Sequence, residues 1–185
     1  MAKTNNIAEA SRLLWKSFKK GNQQAFSQLF KVYYNDLYYY GIKLIGQDEV
    51  VKDELQEFFV ELWERRANLS DISHVKAYLI KSFRRKLLKT TTQNRKSPVI
   101  NAEFKDDSGF ELSIEELIIQ DENRTFNSKK LKALMFKLNQ SQKEIIYLKF
   151  YNNLDYKDIA EITGLKYQSV RNSMHKALKL LREAF

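Results

Sequence analysis

The chain has no cysteine, one proline and five glycines among its 185 residues. Without cysteine there is no disulfide, no thiolate metal site and no cysteine nucleophile, which fits a reducing cytoplasm. So little proline and glycine leaves few residues for tight turns and excludes a hairpin-rich β-fold. No uninterrupted apolar run exceeds four residues, so no segment reads as a membrane span and no direct membrane insertion is expected. The opening MAKTNNIAEASRLLW lacks an apolar stretch and a small-residue cleavage pattern, and reads as mature sequence without a secretion signal. The two histidines, His74 and His175, share no ligand spacing. No metal, no other cofactor and no small-molecule substrate is therefore expected.

What the chain has in surplus is positive charge. Lys and Arg number 32 against 23 Asp and Glu, a net charge of +9. Hydrophobic residues at 43% and aromatics at 13% suffice for packed cores, which excludes wholesale disorder. A basic surplus favours polyanions, nucleic acid before anionic lipid. The surplus is not spread evenly. Residues 74–96 carry eight basic groups and no acid, and residues 128–185 carry net +7. Residues 48–64 and 97–127 each carry net −6. Basic blocks divided by acidic ones suggest at least two polyanion-facing surfaces and a different partner for the acidic blocks.

Periodicity gives an all-α chain. From Asn22, a plausible N-cap, apolar residues at Phe26, Leu29, Phe30, Tyr33, Leu37, Tyr40 and Leu44 make one face of a long helix that stops at Gly46. Asp48 is expected to cap the next helix, with Val51, Leu55, Phe58, Phe59 and Leu62 on its apolar face. A polar break at 67–73 precedes a third helix. The segment 97–127 holds the lone Pro98 and weak periodicity, and reads as a flexible acidic linker. Beyond it, Ser141 to Glu144 reads as a capping box. Asp155 and Asp158 open a short helix, and Gly164 makes a turn into a last one. The expected architecture is two small helical domains joined by that linker, residues 1–96 and 128–185. The second is a helix-turn-helix of winged-helix-like, four-helix type.

Three constellations carry chemistry. The last helix presents Lys166, Tyr167, Gln168, Ser169, Arg171, Asn172, His175 and Lys176 opposite an apolar stripe. Arg, Gln and Asn suit bidentate base contacts in a major groove, and Lys and Ser suit phosphates. The basic helix interleaves Lys76, Lys81, Arg84, Arg85 and Lys89 with Tyr78 and Phe83, a mixture that suits single strands. Phe83 alone reads better as core. The third is the acidic face of 48–64. It reads as a protein-binding face, against the alternatives of solvated carboxylates and of a metal-dependent nucleic-acid enzyme.

The residues carrying these features resemble a bacterial sigma factor of the extracytoplasmic-function (ECF) type. The first block resembles the family in AFSQLFKVYYNDLYYYGIKLIG, VKDELQEFFVELWERR and VKAYLIKSFRRKLL, and the second in LNQSQKEIIYLKFYNNLDYKDIAEITGLKYQSVRNSMHKALKLLR. The resemblance implies a non-enzymatic initiation factor that binds core RNA polymerase. Asp53, Gln56, Glu57, Phe59 and Leu62 fall where the family docks on the β′ clamp helices. Asn68, Ser70, Asp71, Lys76, Tyr78, Lys81, Arg84, Arg85 and Lys89 fall where it melts promoter DNA at the minus-ten element. The last helix falls where it reads the minus-thirty-five element. The resemblance also implies an anti-sigma partner. Many members have Asn where this chain has Arg85, and often Ser where it has Lys166. The competing reading is a helix-turn-helix regulator that acts without core polymerase.

Overall fold

A computed structural model describes residues 2–94, Phe110 and 133–182, leaving aside the side chains of 2–8, 93 and 94. Every described element is helical, and no strand occurs among the described residues. The chain divides into two compact units, Met1–Pro98 and Val99–Phe185. The acidic segment 97–127, apart from Phe110, lies outside the described residues, as do Arg95, Lys96 and Leu131.

The first unit holds α1 (Ala2–Lys19), α2 (Gln23–Ile45), α3 (Asp48–Glu64), a 3-10 turn (Arg66–Asn68) and α4 (Val75–Asn94). Helix α2 starts where Asn22 accepts a hydrogen bond from the Ala25 amide at 3.0 Å, satisfying one amide that the helix itself cannot. It ends at Gly46, whose φ of 68° is left-handed and whose N–H closes on the Ile42 carbonyl. Between these stops, Leu29, Tyr33, Leu37, Tyr40 and Leu44 are all buried. Helix α2 is therefore the middle of the unit and packs against α1, α3 and α4. Each such large side chain contributes about 1.5–3 kcal/mol by leaving water.

Gly41 sets how closely these helices approach. A Cβ placed there would lie 2.8 Å from Val51 Cγ1 of α3, and 3.1 and 3.2 Å from Phe83 Cε1 and Leu87 Cδ1 of α4. Helices α3 and α4 both rest on the bare backbone of α2 at this point. Asp48 does not cap α3 as expected. Gln47 occupies the cap position without a side-chain bond, and Asp48 is the first helical residue. Its carboxylate accepts instead from Tyr38 Oη at 2.6 Å and Lys52 Nζ at 2.8 Å. At that place it still favours the positive end of the helix.

In the second unit, residues 133–136 are helical, followed by α5 (Gln140–Ile146), a π-helical turn (Tyr147–Tyr151), α6 (Tyr156–Thr163) and α7 (Tyr167–Arg182). The capping box lies two residues before the expected one. Asn139 Oδ1 accepts from the Gln142 amide at 2.8 Å, and Gln142 Oε1 accepts from the Asn139 amide at 3.0 Å. Asn is as strong a cap as Ser, and the earlier start leaves Glu144 buried inside the helix. The π turn closes where the Asn152 amide donates to the Tyr147 carbonyl. Asn153 then turns the chain with a φ of 54°, a left-handed conformation that Asn tolerates.

Phe110, expected in the linker, is fully buried in this unit. Its ring meets the Tyr147 ring edge-on, with centroids 5.6 Å apart, and Tyr147 in turn stacks on Tyr151. 

Gly41→Ala should destabilise the first unit. Overpacking costs about 1–3 kcal/mol, against a gain in helix propensity of about 1 kcal/mol. Urea unfolding followed by tryptophan fluorescence, which reports Trp15 and Trp63, should show a lower midpoint. An unchanged or raised midpoint would mean that α3 and α4 can move away from α2 at little cost.

Candidate nucleic-acid interfaces

Helix α6 begins where Asp155 accepts from the Asp158 amide at 2.8 Å and ends at Gly164, whose φ is 75°. Only a residue at ease in that conformation lets the chain reverse so sharply into α7. Ile159 and Ile162 of α6, and Val170, Met174, Ala177 and Leu181 of α7, are buried. This sorting leaves the opposite face of α7 to solvent. Lys166, Tyr167, Gln168, Ser169, Arg171, Asn172, His175 and Lys176 are all exposed. The Arg171 guanidinium lies 5.9 Å from the Tyr167 ring centroid, a loose cation–π contact that leaves its donors facing outward. An acid-free helix of this kind fits a major groove about 12 Å wide.

In the first unit the 67–74 loop is tied down from α1. Trp15 Nε1 donates to the Ser70 carbonyl at 3.1 Å, and Lys19 Nζ pairs with Asp71 at 2.6 Å. That lysine holds the Asp71 carboxyl below its usual range. Tyr78 of α4 meets the other side of Trp15 edge-on at 5.2 Å. Asn68, Ser70 and Asp71 are exposed, and Tyr78 is half-buried. Trp15, absent from the expected site, is the residue that joins loop and helix. Its signal in the sequence was a lone tryptophan on α1.

The basic helix is not uniformly a surface for polyanions. Arg85 and Lys89 are exposed and Lys81 half-buried. Lys76 pairs with Asp36 of α2 at 2.9 Å. Arg84, expected among the DNA-facing residues, is only 4% exposed. Its position on α4 turns it toward the body of the unit, next to the buried Phe83.

The acidic helix also divides. Asp53, Gln56 and Glu57 are exposed. Phe59 and Leu62, expected on the docking face, are 3% and 6% exposed. Phe59 packs on Phe26, Phe30 and Phe58, so these two seat α3 in the core of the unit. Val60, which went unremarked in the sequence, is 57% exposed and supplies an apolar patch on α3.

The basic and acidic helices meet at Lys86. Its Nζ lies 2.8 Å from Glu57, 2.9 Å from Glu61 and 3.4 Å from Glu54. Thr90 completes the set by donating to Glu54 at 2.9 Å. Burial alone would push the Lys86 ammonium down, but the hydrogen bonds with Glu57 and Glu61 and the charge of Glu54 outweigh it and hold the group well above the usual lysine range. The same hydrogen bond holds the Glu61 carboxyl below the usual carboxylate range.

Residues 128–181 match the family described as sigma-70, region 4. The chain is 23% identical over 164 residues to RNA polymerase sigma factor YlaC of Bacillus subtilis (strain 168), covering 84% of this chain and 89% of the relative. Two solved structures share the fold. CnrH in complex with the cytosolic domain of CnrY superposes with a TM-score of 0.61 at 19% identity, over 94% of this chain and 96% of that one. The sigma factor RpoE in complex with the anti-sigma factor NepR, from Bartonella quintana, gives 0.56 at 18% identity, over 86% and 95%.

The Lys86 cluster has a pH signature. A depressed Glu61 carboxyl contributes stability that is present above the unfolded value of about 4.3 and is lost as pH falls through the folded value. Lys86→Met should cost about 1–2 kcal/mol at pH 7, less than breaking a fully buried pair because Glu57 is open to water. The gap between native chain and variant should narrow as pH falls below about 4.3. Urea midpoints at neutral and acid pH measure this, and a gap that does not narrow would show that the carboxylates do not feel the lysine.

Proposed function

We propose that this chain is a sigma factor of the extracytoplasmic-function type with a non-catalytic role in starting transcription, a reading supported by its match to sigma-70 region 4 and its similarity to an RNA polymerase sigma factor. It binds core RNA polymerase in the cytoplasm, directs it to a promoter and opens the DNA at the start site. The observation that carries this reading is the sorting of α7, an apolar face buried and an acid-free face of base- and phosphate-binding types exposed. That helix reads the minus-thirty-five element through the major groove. Arg171, Gln168 and Asn172 make base contacts, and Lys166, Ser169 and Lys176 hold phosphates. Tyr167 and His175 flank them.

The first unit engages the minus-ten element as a single strand. Extruding a base costs a few kcal/mol, which stacking and phosphate contacts must offset. Asn68, Ser70 and Asp71 on the pinned loop, with Tyr78, Lys81, Arg85 and Lys89 on α4, supply those groups. The docking face for the β′ clamp helices is Asp53, Gln56, Glu57 and Val60, seated from within by Phe59 and Leu62. One solved relative is a sigma factor held by an anti-sigma factor, and this chain takes a partner of that kind.

Run-off transcription with purified core polymerase tests the whole reading. Promoter-dependent transcripts are expected only when the chain is added. Duplex binding without core polymerase and without transcripts would instead favour a regulator that acts alone. Arg171→Ala should cost about 1–3 kcal/mol in duplex recognition. Arg85→Ala with Lys89→Ala should spare duplex binding and impair opening, read by permanganate reactivity of unpaired thymines. If both variants lose the same step, the two units do not divide the work as proposed.

A further inference from the structure

Lys86 belongs to the basic helix but faces the acidic one. On α4 it directly follows Arg85 and lies three residues before Lys89, both exposed, so it sits at the edge of the stripe assigned above to single-stranded DNA. Its side chain is 15% exposed, whereas those of Glu57 and Glu61 are 62% and 38% exposed. A partner can therefore reach the carboxylates without touching the lysine. Arg65 and Lys89 also act on Glu61, but Glu57, the most exposed of the three carboxylates, remains open to a cation from a partner.

We propose that this cluster is a latch between the two surfaces. The glutamates of α3 hold Lys86 off the DNA stripe, and a basic partner surface docking on Glu57 and Glu61 takes its place and frees it for phosphate. The inference rests on the reading of α4 as a single-strand surface and of α3 as a docking face. An arginine-bearing partner suits the exchange. A guanidinium meets a carboxylate through two parallel hydrogen bonds, a geometry that an ammonium does not offer. The number of cations available to DNA then depends on whether α3 is occupied. Glu54, tied to Thr90 of α4, keeps the two helices joined while Lys86 moves.

The full chain without polymerase allows a direct test. The double variant Glu57→Gln/Glu61→Gln imitates docking by removing the two exposed carboxylates. Amine-reactive labelling of Lys86, measured against Lys52 as internal reference, should rise in this variant. Its binding to a labelled single-stranded oligonucleotide should tighten, with a salt slope steeper by about 0.7, the value of one added phosphate contact. Adding Lys86→Gln should return the slope to that of the native chain. Unchanged labelling overturns the latch. A steeper slope that persists without Lys86 also overturns it, because the glutamates then act only as general negative charge. Raised labelling with no oligonucleotide binding in any variant overturns the DNA reading of α4, and the latch loses its purpose with it.

Discussion

The first unit depends on one close approach. At Gly41 the backbone of α2 meets Val51 of α3 and Phe83 and Leu87 of α4, with no side chain of its own between them. Two helices resting on one bare stretch of a third are necessarily neighbours. That adjacency places Lys86 of α4 among Glu54, Glu57 and Glu61 of α3. The electrostatic link between an acidic helix and a basic one is thus a product of packing, set by the smallest residue in the core.

The same packing changes the meaning of the charge pattern. Counted along the chain, residues 48–64 and 74–96 are opposite blocks with separate partners. Folded, they partly neutralise one another. Lys76 is paired to Asp36 and Lys86 to α3, and Arg84 is buried. Among the described residues of α4, the fully exposed cations are Arg85 and Lys89, fewer than the composition suggests. Helix α7 shows the opposite case. Nothing acidic lies within 166–182, so its cations remain on the surface.

The local signals were legible. Asn22, Gly46, Asp155 and Gly164 start and stop helices where residue chemistry demands, and the two faces of α7 follow from spacing alone. What escaped the sequence were relations between elements. Phe59 and Leu62 lie on the apolar stripe of α3, and periodicity marks such a stripe without saying whether the chain itself or a partner covers it. Arg84 is charged, and composition puts charge outside. The sequence offers Ser141 as a cap, yet Asn139 caps the helix, because both are good caps and only the entry path of the chain decides. Nothing local marks Gly41 as the point where α3 and α4 approach α2. Trp15 and Lys86 act through partners 55 and 25 residues away, distances at which spacing carries no information.

Phe110 separates two lengths that are easily taken as one. The family match begins at residue 128, and every exposed residue of α7 lies beyond it. Yet the core of that unit includes a ring from residue 110, whose burial against Tyr147 contributes about 1.5–3 kcal/mol. For a small domain with a stability of about 5–15 kcal/mol, that is a substantial share. The matched part of the chain is therefore shorter than the part that folds. A fragment cut at the edge of the match would keep the whole exposed face of α7 and lose one of the side chains that hold the unit in shape.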